Sequence, residues 1–180
     1  MPQLVVGLGN PGRDYAESRH NTGFWVVEGL TRRFGARWKR HRLSQTARIE
    51  REGFSLILAK PTTYMNLSGG AVAQLLKAFA LDPSQLIVVH DDIDLPVGKV
   101  RVRRKGGHGG HHGVQSVIEA LGSQDFRRVK IGIGRPATKD AVTDYVLNAL
   151  SAEERSALED AVDRAVELVL SLVAERAEGQ

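Results

Sequence analysis

Residues Leu86-Ile87-Val88-Val89 are apolar at every position and run directly into His90-Asp91-Asp92. A strand with no polar face has to be covered on both sides, as the central strands of a sheet between helical layers are. Leu4-Val5-Val6-Gly7-Leu8 has the same character and breaks at Gly9-Asn10-Pro11-Gly12. Two such strands, with helical periodicity between them, predict an α/β fold. The expected form is a single domain with a twisted mixed, mostly parallel β-sheet and helices on both faces. Open sheets of this kind bind ligands at the carboxyl ends of their strands, so polar residues there are the first candidates for chemistry.

The remaining elements follow from local signals. Phe24, Val27, Leu30 and Phe34 have helical spacing after a cap at Asn21 or Thr22, and Gly35 ends that helix. Residues 46–51 and 54–59 read as a hairpin around Glu52-Gly53. Ser68 caps a helix through Val72, Leu75, Leu76 and Phe79, which Asp82-Pro83 closes off. Residues 100–104 alternate apolar and basic, the pattern of an antiparallel strand with one wet, positive face. A glycine-rich segment, 106–113, reads as a mobile loop before a helix through Val114, Val117, Ile118 and Leu121, and 129–133 as a further strand. Ser151 opens an amphipathic helix over about 151–174, with Glu153 and Glu154 in its first turn and a frayed tail beyond. No linker or internal repeat divides residues 1–180.

Composition excludes several chemistries. The chain has no cysteine, so disulfides, thiol catalysis and cysteine-ligated zinc are out. No apolar run reaches the ~18 residues of a membrane span. The N-terminus enters a strand directly, which argues against a secretory leader. The net charge of +4 conceals an asymmetry: residues 151–180 hold eight acids against three bases, and the cations gather at 32–51 and 99–105. That distribution points to a polyanion, nucleic acid first, with a merely solvated basic surface as the alternative.

Gly7, Gly9 and Gly12 match G-x-G-x-x-G, but Pro11 lies inside the motif and the next helix starts some ten residues on. A dinucleotide site needs that helix N-terminus at the pyrophosphate, so the segment reads as a tight turn presenting Asn10. His20, in Ser18-Arg19-His20-Asn21-Thr22, lies outside any apolar periodicity. Asp91, emerging from its strand, is the carboxylate placed to orient it as a base; Asp92 and Asp94 read as a solvated turn. His108, His111 and His112 invite a zinc reading, yet they lack a helical i, i+4 pair and any acid nearby. No G-x-S-x-G elbow is present, which leaves a base-activated water as the hydrolytic option.

The blocks Val6-Gly7-Leu8-Gly9-Asn10-Pro11-Gly12, Arg19-His20-Asn21-Thr22-Gly23, Lys60-Pro61-Thr62-Thr63-Tyr64-Met65-Asn66, His90-Asp91-Asp92-Ile93-Asp94 and Gly106-Gly107-His108-Gly109-Gly110-His111 together resemble the bacterial peptidyl-tRNA hydrolases, in order and spacing. The resemblance implies an esterase that cleaves peptide from the 3′-terminal ribose of tRNA, monomeric and cytoplasmic, without metal or organic cofactor. It implies His20 as the base, Asp91 as its orienting carboxylate, and Asn10 as a selector for blocked peptidyl ends. Tyr15, Tyr64 and Asn66 become substrate contacts, and Arg103 and Lys130 phosphate contacts. The loop departs from the family pattern at His112, where an asparagine is usual; a histidine there implies an altered, titratable contact. A tRNA- or RNA-binding module without chemistry is the alternative reading, consistent with the cations but leaving the His20/Asp91 pair unexplained.

Overall fold

The computed structural model describes residues 2–178, with side chains through 175. Seven strands form one sheet in the order β2-β3-β4-β1-β5-β7-β6. They are β1 (Gln3–Gly7), β2 (Lys39–His41), β3 (Ser44–Arg51), β4 (Phe54–Pro61), β5 (Leu86–Asp92), β6 (Val100–Arg103) and β7 (Arg127–Gly132). The four central strands, β4-β1-β5-β7, run parallel, and β3, β2 and β6 join antiparallel at the flanks. The expected mixed α/β sheet is therefore present, with its parallel pairings gathered at the centre.

Helices cover both faces, as the all-apolar strands require. Alternate residues of β1 and β5 serve opposite cores. Val5, Ile87 and Val89 pack with α1 (Thr22–Phe34) and α5 (Ala152–Glu178), while Leu4, Val6, Leu86 and Val88 pack with α2 (Ser68–Ala78) and α3 (His112–Leu121). Residues 44–51 and 54–61 form the expected hairpin, with Gly53 at φ 95° in its turn. Gly35 and Gly122, both at φ 65°, end α1 and α3 in the left-handed conformation.

Three expectations change. The last helix runs from Ala152 to Glu178, past the expected end near 174; 179–180 lie outside the described residues. Glu175, Arg176 and Ala177 are good helix formers, and nothing in this stretch stops the helix. Two short elements, β2 and α4 (Val142–Leu147), stand where no element was expected. The 106–113 segment is pinned at both ends. The buried Arg128 donates from its guanidinium to the carbonyls of Gly106, Gly107 and Gln124, the latter two at 2.8 and 3.0 Å, with its cation 4.4 Å from the Phe126 ring centroid. His111 secures the other end.

The approach of α1 to the sheet depends on a missing side chain. A Cβ on Gly23 would lie 2.7 Å from Leu8 O and closer still to Val89 O, both backbone atoms. Gly29, in the same helix, would meet only side chains at ordinary contact distance, a methyl of Val166 at 3.4 Å and an Arg32 nitrogen at 3.8 Å. Gly23→Ala should therefore destabilise by about 1–3 kcal/mol through overpacking. Gly29→Ala should be neutral or gain up to about 1 kcal/mol of helix propensity. Urea unfolding of the two variants checks the contrast; equal midpoints would contradict it.

Candidate active site

Asp91 is the penultimate residue of β5, with its side chain almost wholly inside the protein. Its carboxylate receives two imidazoles. His20, from the 3-10 turn Arg19–Asn21 that leads into α1, donates from Nδ1 at 2.8 and 2.9 Å to the two oxygens. His111 donates from Nε2 to Oδ1 at 2.8 Å. The His111 tautomer is fixed from its other side. As N-cap of α3, it accepts the amides of Gly113 and Val114 on Nδ1, at 3.1 and 3.2 Å. An acceptor at Nδ1 leaves the proton on Nε2, aimed at Asp91.

The electrostatics follow from this arrangement. Burial alone would raise the Asp91 pKa, but the two histidines and their hydrogen bonds outweigh it and hold the carboxyl well below the usual range. Burial would lower the pKa of His20, and Asp91 more than reverses that, leaving it raised. With Nδ1–H committed to Asp91, His20 Nε2 is the nitrogen left for proton transfer. His90 lies alongside, its ring centroid 4.9 Å from that of His111 and its Nδ1–H donating to Asp91 O at 2.7 Å. Burial and the neighbouring His111 push its pKa down to about 3, so it stays neutral at physiological pH, with Nε2 buried and unpartnered.

His20, Asp91 and His111 place three potential metal donors within 4.8 Å of one another. Their donor atoms are already joined by hydrogen bonds, and His111 Nδ1 is occupied by α3 amides. A cation would have to displace those protons and the helix cap, so the set fits a proton relay better than a metal cage. His108 and His112 do not join it. His108 Nδ1 accepts the Gly110 amide at 2.9 Å, and His112 is the exposed first residue of α3.

Asn10 is held from both sides. Its backbone exchanges hydrogen bonds with the Asn21 side chain, 2.9 Å at N and 2.8 Å at O, and its Oδ1 accepts the Met65 amide at 2.7 Å. Those bonds orient the amide so that Nδ2 is its free donor end. A cleft of about 890 Å³ contains Asn10, His20, Asn66, Asp91, His112, Arg103 and Lys130. Seven of the nine residues singled out in the sequence thus share one cavity. Tyr15 and Tyr64 line neither this cleft nor its neighbour, and Tyr64 is 59% exposed.

The cleft wall carries a cationic face. Arg101 pairs across the strands with Lys130, and Arg103 with Arg128. Like charges directly opposite one another destabilise a sheet unless an anion offsets them. Asp92 relieves part of this by pairing with Lys130 at 3.3 Å; it is largely buried rather than part of a solvated turn. Asp94 is exposed, as expected, and pairs with Arg135. Sequence reasoning missed His111, Asn21 and Arg128. The signal available for His111 was its position one residue before a helix start.

A family model described as peptidyl-tRNA hydrolase matches residues 4–180. The chain is 46% identical to the peptidyl-tRNA hydrolase of Oceanobacillus iheyensis, over 93% of this chain and 90% of that protein. It is also 46% identical to that of Aquifex aeolicus, over 95% and 90%. The crystal structure of the Acinetobacter baumannii peptidyl-tRNA hydrolase superposes with a TM-score of 0.92 at 36% identity, covering 99% of this chain and 91% of that one. On the strength of the shared sequence blocks, the sheet and these matches, the chain belongs to the peptidyl-tRNA hydrolase family.

Proposed function

We propose that this enzyme hydrolyses peptidyl-tRNA by activating a water on His20. The observation that carries the reading is the Asp91 carboxylate bonded to His20 Nδ1 in a cleft faced by four cations. Asp91 holds the Nδ1–H tautomer and stabilises the imidazolium formed as Nε2 takes the proton of water. Hydroxide adds to the ester carbonyl, and the tetrahedral intermediate expels the ribose oxygen, which receives the proton back from His20. Free tRNA and a peptide carboxylate result.

The oxyanion needs donors. The Met65 amide is engaged by Asn10 Oδ1, and the Gly113 and Val114 amides by His111. Asn66 and Asn10 Nδ2, both in the cleft lining, are the side-chain amide donors available, and loss of one such donor typically costs ~10²–10³-fold. His111 acts as a positioning residue: it bonds Asp91 Oδ1 beside His20, the two ring centroids 4.9 Å apart. Tyr15 and Tyr64, outside the cleft lining, would reach substrate only at its margins, and His112 at its mouth. Arg103 and Lys130 supply phosphate contacts for the acceptor stem. The enzyme acts as a monomer in the cytoplasm. No helix among the described residues is long and apolar enough to cross a membrane.

The direct test is release of tRNA from an N-blocked aminoacyl-tRNA and from its unblocked counterpart, without added metal. Wild type should turn over the blocked form only. His20→Ala should lose ~10²–10⁴-fold in kcat while still binding tRNA. Binding without turnover by wild type would instead support an RNA-binding module.

The rate should rise with pH through the raised His20 pKa, above 6.5, because the base must be neutral. Asp91→Asn should move that midpoint down as well as slow the reaction; an unmoved midpoint would detach Asp91 from the base. Arg103→Ala should weaken tRNA binding and reduce the slope of log K against log salt by about 1. A salt titration with the same slope as wild type would remove Arg103 from the phosphate contacts.

A further inference from the structure

Asp91 fixes His20 by one ring nitrogen, but the turn that carries His20 has to be held as well. Its first residue, Arg19, makes contacts that proton transfer does not use. We infer that Arg19 is a positioning residue for the base, tying the turn of His20 to α4, a wall of the catalytic cleft; the inference rests on the esterase reading above.

Arg19 is buried, which a guanidinium tolerates when its donors are met and its charge is paired. Nη1 donates to Tyr145 O in α4 at 2.9 Å. Nε and Nη2 both donate to Glu154 Oε2, in the first turn of α5, at 3.2 and 2.7 Å. The guanidinium carbon lies 4.0 Å from the Tyr145 ring centroid, close enough for a cation–π contact. Each partner is itself held. Ser151 Oγ, just before α5, accepts the Glu154 amide and donates to Glu154 Oε1, both at 3.2 Å, which leaves Oε2 to Arg19. The Tyr145 hydroxyl donates to Ile133 O, just past β7. Ser18, the residue before Arg19, is bridged to Ala149 through the backbone.

The link matters because of what α4 does. Its six residues are too few to hold a helix alone, so its place is set by what it touches. Val142, Thr143, Val146 and Leu147 line the catalytic cleft, while Tyr145 among them carries the Arg19 contacts. Arg19 itself is outside that lining and acts only through its neighbours. A ligand against the α4 wall and the base that serves it are thus joined through one side chain. A planar guanidinium can bond two partners and stack on a ring at once, which a lysine ammonium in its place cannot reproduce.

Arg19→Lys keeps the charge and loses the fork. Assayed on an N-blocked aminoacyl-tRNA, with kcat counted per tRNA-binding site so that unfolded protein is excluded, it should lose about 10–10²-fold in kcat. KM and the affinity for deacylated tRNA should stay within about threefold. The pH midpoint of kcat should stay at the wild-type value, because the bonds from Asp91 to His20 remain. Glu154→Gln, which removes the charge from the other end of the pair, should lower kcat per site in the same direction. A lower melting temperature with unchanged kcat per site in both variants makes Arg19 a structural tie only and overturns the assignment.

A double-mutant cycle tests the link to the wall. Leu147→Ala trims the cleft side of α4 and should lower kcat about threefold to tenfold in wild type, but by less than about twofold in the Arg19→Lys background. No effect on kcat, or the same factor in both backgrounds, separates the wall from the base and overturns the assignment. Wild type that does not hydrolyse the ester defeats the esterase reading itself, whereas hydrolysis with unchanged kcat per site in the variants defeats only the role of Arg19.

Discussion

A buried carboxylate shared by two histidines is the interaction on which the site depends. Asp91 has almost no contact with water, and an unpaired charge there would cost several kcal/mol. His20 and His111 offset that cost from two different elements, one from the 3-10 turn before α1 and one from the cap of α3. The bond to His111 also ties the glycine-rich segment to the sheet, and Arg128 ties its other end to β7. Site geometry and loop geometry are therefore one constraint. A change in the loop reaches His20 through His111 and the carboxylate they share.

The sheet makes this arrangement possible by alternation. Along β5, Ile87, Val89 and Asp91 share one side, while Val88, His90 and Asp92 share the other. The first side becomes apolar core and then, at the strand's end, the carboxylate. The second carries Asp92 and faces Lys130 and the cations of β6 and β7. One strand thus contributes both the partner of His20 and a link to the cationic wall. Close approach of α1 through Gly23 brings His20 over the strand end.

Where sequence legibility succeeded and failed follows from the range of the forces involved. The strands β1 and β5 were legible because burial on both faces makes Leu4-Val5-Val6 and Leu86-Ile87-Val88-Val89 within them wholly apolar. The His20/Asp91 pair was legible because Asp91 breaks an apolar strand near its end and His20 lies in a polar cluster outside any apolar periodicity. The three-residue strand β2, Lys39–His41, carries no apolar residue, and the six residues of α4 are too few for a helical period. His111 was hidden among three histidines in a glycine run. Its role comes from a helix terminus on one nitrogen and a carboxylate twenty residues away on the other, and neither is visible in spacing alone.

The same economy places Asn10 just beyond the end of β1. Its backbone is held by the Asn21 side chain and its side-chain oxygen by the Met65 amide. Asn21 belongs to the same 3-10 turn as His20, and Met65 opens the turn that leads into α2. A residue fixed at three atoms in this way keeps its amide nitrogen in one place in the cleft that also holds His20 and Asp91, and a misplacement of about 1 Å among reacting groups can cost ~10²-fold in rate.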